Sequence, residues 1–136
     1  MKFDAIIIGT GQAGPSLAAS LAKNGVKVAI IEKSHLGGTC VNEGCTPTKA
    51  YVASARRAYI AKNSEVLGLE IEGNVRVNLK KIKERKDRLI QDSRSGLEKM
   101  FGDTKNITLI RGKARFTDTH TVEVNGETHT FSPAQT

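Results

Sequence analysis

Cys40 and Cys45 are the only cysteines in the chain, with four residues between them. They stand in the stretch Gly37-Gly38-Thr39-Cys40-Val41-Asn42-Glu43-Gly44-Cys45-Thr46-Pro47-Thr48-Lys49. Two thiols can close a disulfide when their Cα atoms come within about 7 Å, and one turn at the start of a helix achieves that. Gly37, Gly38 and Gly44 read as a flexible approach. Thr46-Pro47 reads as a first helical turn, where proline is tolerated. Cys45 then sits at a helix N-terminus, whose dipole favours the thiolate that redox or nucleophilic chemistry needs. Cys40 precedes the helix and lacks that field, so Cys45 is expected to ionise first. Spacing alone leaves two other readings open: buried free thiols, or half of a metal site. Zinc normally takes four ligands, and His35 is the one nearby third candidate.

A second constellation precedes the cysteines. Phe3 to Ile8 is a short, isoleucine-rich apolar run that reads as a buried strand. Gly9-Thr10-Gly11-Gln12-Ala13-Gly14 follows at once, and Ser16 to Lys23 carries Leu17, Ala18, Leu21 and Ala22 at helical spacing. Asn24-Gly25 is a C-terminal helix signal. Val26 to Ile31 reads as a second strand closed by Glu32, 18 residues after Gly14. Strand, G-x-G-x-x-G, helix, strand and acid together form the context that a dinucleotide-binding turn requires. The glycines let backbone approach a pyrophosphate, the helix N-terminus offers it N–H groups, and Glu32 is placed for ribose hydroxyls. Pro15 fits the first helical turn.

The remaining elements must position these two groups. A helix is expected from about Pro47 to Asn63, with Val52, Ala55, Tyr59 and Ile60 as its apolar stripe and Tyr51 and Tyr59 as packing residues. Glu65 to Val77 reads as a loop. A long helix runs from about Leu79 to Phe101, with Leu79, Ile82, Leu89, Ile90, Leu97 and Met100 on one side and Gly102 as its stop. Ile107 to Ile110 is a third apolar strand. Lys113 to Phe116, Thr121 to Val124 and Thr128 to Phe131 alternate as antiparallel strands do, with Asn125-Gly126 as a hairpin turn. His120 and His129 are expected on the surface. The whole is an α/β arrangement: a βαβ unit, long crossover helices, a third parallel strand and a β-meander. Right-handed crossovers give the first three strands the order 3-2-1, half of a Rossmann-type sheet.

Composition narrows the classes. The 136 residues are 38% hydrophobic and 26% charged, which suits one globular domain with a core. No apolar run is long enough to span a membrane, and Lys2, Asp4 and the early Gly9 do not make a signal peptide. A cytoplasmic, reducing location is expected, where a cysteine pair is more often catalytic or metal-binding than structural. Much of the net charge of +7 lies between Arg76 and Lys99. Glu84, Asp87, Asp92 and Glu98 are interspersed there with Lys80, Lys81, Lys83, Arg85, Lys86, Arg88 and Arg94. With 4% aromatics and no tryptophan there is no stacking platform. This stretch reads as a solvated mixed-charge helix face, not a nucleic-acid surface.

Gly9 to Gly14, Glu32, and Gly37-Gly38-Thr39-Cys40 through Cys45 to Lys49 resemble the N-terminal FAD domain of the pyridine nucleotide-disulfide oxidoreductases. That family includes dihydrolipoamide dehydrogenase, glutathione reductase and mercuric reductase. The resemblance implies that Gly9, Gly11 and Gly14 contact the FAD pyrophosphate, that Glu32 contacts the adenosine ribose, and that Gly38 and Thr39 lie along the cofactor. It implies a Cys40–Cys45 redox disulfide, with Cys45 as the charge-transfer thiol at the flavin and Cys40 as the more accessible interchange thiol. Lys49 would sit near the flavin N5 side. Electrons would pass between NAD(P)H, flavin, disulfide and a small-molecule disulfide, dithiol or metal-ion substrate, through mixed disulfides, in the service of cell redox homeostasis. Glu43 and Thr46 depart from the small or apolar residues common at those places, and Thr46-Pro47-Thr48 is similar to the mercuric reductase-like members.

The resemblance further implies that residues 1–136 are the N-terminal part of an FAD-binding domain. NAD(P) and dimerisation domains are absent from them, and a homodimer is expected for a full-length protein. The alternative function is a stand-alone nucleotide-binding dithiol module or an inactive truncated remnant.

Overall fold

A computed structural model describes residues 1–132; residues 133–136 of the expected domain lie outside them. In chain order the elements are β1 (Lys2–Phe3), β2 (Ala5–Ile8), α1 (Ala13–Lys23), β3 (Val28–Glu32), α2 (Gly38–Asn42) and α3 (Cys45–Lys62). A 3-10 turn (Ser64–Leu67) follows, then α4 (Leu79–Asp103), β4 (Ile107–Arg111), β5 (Ala114–Asp118), β6 (Thr121–Val124) and β7 (Glu127–Phe131).

Strands β2, β3 and β4 form a parallel sheet with β3 in the middle, which is the expected 3-2-1 order. Because side chains alternate across a strand, this sheet feeds two cores. Val28 and Ile30 join Ala18, Leu36 and Phe101 under α1 and α4, with Ile7, Leu97 and Leu109 packed around them. On the opposite face Ile31 meets Val122 and Val124 of the second sheet, with Ile6, Ile110 and Phe131 alongside. Every residue of β3 is therefore buried, Glu32 included, as expected of a central parallel strand covered on both sides.

The second sheet is the predicted meander with one addition, in the order β1-β7-β6-β5. The single strand expected over Phe3 to Ile8 breaks at Asp4. Its N–H donates to Lys27 O at 2.9 Å and its carboxylate accepts from the Lys27 N–H at 2.8 Å. Those bonds turn Lys2–Phe3 away to pair in parallel with Thr130 and Phe131. Asn125 and Gly126 both take positive φ, 54° and 83°, as a tight hairpin turn requires.

Three expectations about side chains fail. His129 is buried, because β7 is covered by Phe3 of β1 as well as paired with Val122 of β6, and among the described residues neither ring nitrogen has a hydrogen-bond partner. The supposed apolar stripe of α3 faces outward: Val52 and Tyr59 are 57% and 69% exposed, while small Ala50 is the buried residue. Close approach of α4 is what requires a small residue there. Tyr51 and Tyr59 instead line an open groove with Val77 and Leu79. The charged face of α4 is solvated only in part. Lys83 pairs with Asp87 at 2.7 Å on the surface, but Arg94 is half-buried and bonds α2, while Arg85 reaches across to α3 from an exposed position.

Candidate functional site

Helix α1 begins at Ala13, three residues earlier than expected, so Gly14 and Pro15 occupy its first turn and both are buried. Gly14 cannot carry a side chain: a Cβ there would lie 2.3 Å from Gly9 O. Gly9 has φ +99°, a conformation natural only to glycine. A Cβ on Gly11, by contrast, would meet nothing within 4 Å. Of the three glycines, Gly9 and Gly14 shape the turn, and Gly11 presents bare backbone to open space.

Glu32 ends β3 against that turn. Its Oε2 accepts from the Thr10 hydroxyl at 2.6 Å and from the Thr10 N–H at 2.9 Å, and its Oε1 accepts from the Ser34 N–H at 2.9 Å. Burial opposes the charged form, but these donors, with the Lys33 N–H, outweigh it and hold the carboxyl below its ordinary range. Glu32 is thus an ionised acceptor on the wall of a small cavity of about 160 Å³ that it shares with His35, Gly38, Thr39, Asn42 and Glu43.

The cysteines occupy separate helices. Cys40 lies within α2, not before a helix as expected, and Cys45 is the first residue of α3. They form a disulfide across a Cα–Cα distance of 4.7 Å, well inside bonding range. Gly44 makes the junction: its N–H donates to Thr39 O at 2.7 Å, and a Cβ on it would come within 3.1 Å of that oxygen. Cys45 is exposed and Cys40 half-buried. Lys49 is exposed on α3 one turn beyond Cys45, a spacing that places both on one side of the helix.

The two constellations meet at Gly38. It has φ +59°, and a Cβ on it would approach Gly11 Cα to 2.9 Å. The cysteine segment therefore rests directly on the glycine turn, and the Thr10 hydroxyl accepts from the Gly37 N–H at 3.1 Å across that seam. Glu32 lines one cavity with Gly38 and Thr39, and Gly11 lines another with Gly37 and Val41; the disulfide lies at the junction of α2 and α3.

Residues 3–133 match the pyridine nucleotide-disulphide oxidoreductase family. The chain belongs to that family. It is 36% identical to dihydrolipoyl dehydrogenase of Geobacillus stearothermophilus, covering 98% of this chain and 29% of that protein. It is 37% identical to mercuric reductase of Lysinibacillus sphaericus, covering 92% of this chain and 23% of that protein. Among solved structures, the Cu(II) complex of the HOCl-induced flavoprotein disulfide reductase RclA from Escherichia coli superposes with a TM-score of 0.79 at 31% identity, covering 96% of this chain and 27% of that one. The chain spans about a quarter of the length of these relatives. Members of the family are FAD-dependent and use NAD(P)H.

Three residues of this family member matter to the site and escaped the sequence reading. Thr10 is an unspecified position of the glycine motif. Asn42 donates from Nδ2 to Leu36 O at 3.0 Å and to Gly38 O at 2.7 Å. Arg94, far away in sequence on α4, donates from Nε to Asn42 Oδ1 at 2.5 Å. The asparagine between the cysteines was the one available signal, since its side chain commonly bonds nearby backbone in turns.

Proposed function

We propose that this chain is the FAD-binding portion of a disulfide oxidoreductase in which Cys40 and Cys45 cycle between disulfide and dithiol. The observation that carries the reading is the seam itself: the helix that bears Cys40 rests on the glycine turn through Gly38 and Gly11, and the disulfide ties it to α3. The residues fit the cofactor. Gly11 leaves room for a pyrophosphate at the start of α1, and Glu32 holds a carboxylate ready to accept from ribose hydroxyls. FAD bound there supplies a two-electron carrier, reduced in the longer family members by NAD(P)H.

The chain's own residues then do the following. Gly11, on a turn shaped by Gly9 and Gly14, would present its backbone to the pyrophosphate, Glu32 would accept from the ribose, and Gly38 with Thr39 would line the cofactor. In the dithiol form, the Cys40 thiolate attacks one sulfur of a small-molecule disulfide, forms a mixed disulfide and releases the first thiol. The Cys45 thiolate attacks Cys40 Sγ, releases the second thiol and re-forms the Cys40–Cys45 bond. Two electrons and two protons have then passed to the substrate. Lys49 keeps a positive charge on the Cys45 side, and a dithiol substrate runs the sequence in reverse. A metal-ion substrate is the second reading, favoured by the mercuric reductase relative and the Cu(II) complex of the RclA structure.

NAD(P)-binding and dimerisation domains beyond residues 1–136, a homodimer and a cytoplasmic location belong to the same proposal. The domains are supported by the relatives' greater length, of which this chain spans 29% and 23%; the homodimer and the location rest on the family resemblance alone. No helix among the described residues is long and apolar enough to cross a membrane.

Titration of the purified chain with FAD, followed by quenching of flavin fluorescence, tests the reading. The expected result is saturable binding with preference over NAD, and a visible spectrum that changes on dithiol reduction. Preference for NAD contradicts it.

A further inference from the structure

We propose that Arg94 is a positioning residue for the Cys40–Cys45 couple, acting through Asn42; this rests on the redox reading above. Helix α2 has five residues and no buried side chain. A helix so short does not hold itself together, and none of its side chains is fully buried to fix it. While the disulfide is closed, Cys40 is tied to α3 covalently. Once the bond is reduced, α2 depends on polar ties.

Asn42 supplies them. Its Nδ2 donates to Leu36 O and Gly38 O, bracketing the glycine pair, and its Oδ1 accepts from Arg94 Nε. A guanidinium carries donors only. It therefore forces the amide oxygen toward α4 and directs the amide N–H groups to the two carbonyls. Arg85, on the same helix, donates from Nη1 to Ala50 O at 3.1 Å. Helix α4 thus holds both cysteine helices, α3 through Arg85 and α2 through Arg94. Leu36 is a member of the core under α4, so the anchor is rigid at both ends.

The consequence concerns the dithiol. With Arg94 in place, Cys40 stays facing Cys45 after reduction and the effective concentration of one thiol at the other remains high. Without it, Cys40 drifts and closure becomes less favourable. A purely electrostatic role predicts the opposite sign, since removing a cation destabilises the thiolates and favours the disulfide.

The test equilibrates the 136-residue chain in buffers of reduced and oxidised glutathione. One glutathione thiolate opens the Cys40–Cys45 bond to a mixed disulfide, and a second releases oxidised glutathione. This leaves both cysteines as thiols, with two electrons and two protons transferred. Samples are acid-quenched and alkylated, and the dithiol fraction is read by mass spectrometry. Arg94→Met and Arg94→Leu, run in parallel with circular dichroism so that one misfolded variant does not end the test, should shift the equilibrium about fivefold toward dithiol. Asn42→Ala, which removes all three bonds, should shift it at least as far, and adding Arg94→Met to it should shift it no further, because Arg94 acts through Asn42. No shift in a folded variant, a shift toward disulfide, or additive shifts overturn the positioning role alone. A wild-type chain that never re-forms its disulfide overturns the redox reading, and this inference with it.

Discussion

The Thr10 hydroxyl donates to Glu32 Oε2 at 2.6 Å and accepts from the Gly37 N–H at 3.1 Å. One buried side chain in the glycine turn thus bonds both the acid that ends β3 and the glycine pair that leads into α2. Thr10→Val keeps the shape and removes both bonds. Leaving buried partners of a charged group unpaired costs about 1–3 kcal/mol, read as a lower urea midpoint, and Thr10→Ser should recover most of it. A valine variant as stable as wild type would show that water replaces the hydroxyl freely.

Glu32 gives that link a pH dependence. Burial works against its charge, but the Thr10, Ser34 and Lys33 donors win and lower its pKa from the ordinary 4.5. A carboxyl that binds its proton less tightly when folded stabilises the fold above the unfolded value, and the contribution is lost as pH falls through the lower folded value. Glu32→Gln should therefore be less stable than wild type at neutral pH, with a gap that narrows on acidification. Urea melts across that range check it; a gap that widens in acid contradicts the assignment.

The glycine turn makes separate demands at two glycines. Gly14→Ala sets a methyl 2.3 Å from Gly9 O, so α1 must move off β2, at about 1–3 kcal/mol for an overpacked contact. Gly11→Ala meets nothing of the protein. It should melt within a few degrees of wild type yet bind FAD more weakly, because its methyl would occupy the space proposed for phosphate. Equal FAD affinity in Gly11→Ala and wild type would move the pyrophosphate elsewhere.

What was legible in the sequence followed from local, repeated constraints. The runs of β2, β3 and β4 could be read because a strand buried on both faces is continuously apolar. The meander could be read because Asn125-Gly126 permits little besides a tight turn. The glycine motif and the cysteine spacing marked the two segments that the fold brings together at Gly38 and Gly11. What was not legible depends on contacts distant in sequence. Arg94 reads as one more cation on a solvated helix until α4 lies across α2. His129 reads as a surface residue of an alternating strand until β1 leaves β2 to cover it, and Asp4, which causes that, is a single polar residue in an apolar run.

His129 offers its own check. Both ring nitrogens are buried without partners among the described residues, which leaves a desolvation cost that none of those residues compensates. His129→Leu should stabilise the chain by about 1–2 kcal/mol, seen as a higher thermal midpoint with unchanged circular dichroism. A lower midpoint would mean that the imidazole is partnered in solution.

The two cysteines differ in access, and the order bears on their roles. Cys40 as the open interchange thiol is the expectation from resemblance, yet in the chain alone Cys45 is the exposed residue and Cys40 is half-buried within α2. The two statements agree if the cofactor covers Cys45. After mild reduction, a bulky maleimide should therefore label Cys45 first in the chain alone. Saturating FAD should slow labelling of Cys45 while leaving Cys40 nearly unchanged, so that the order reverses. Peptide mass mapping separates the two sites. Equal protection of both cysteines would mean that FAD closes the whole segment, and unchanged rates would remove Cys45 from the flavin side.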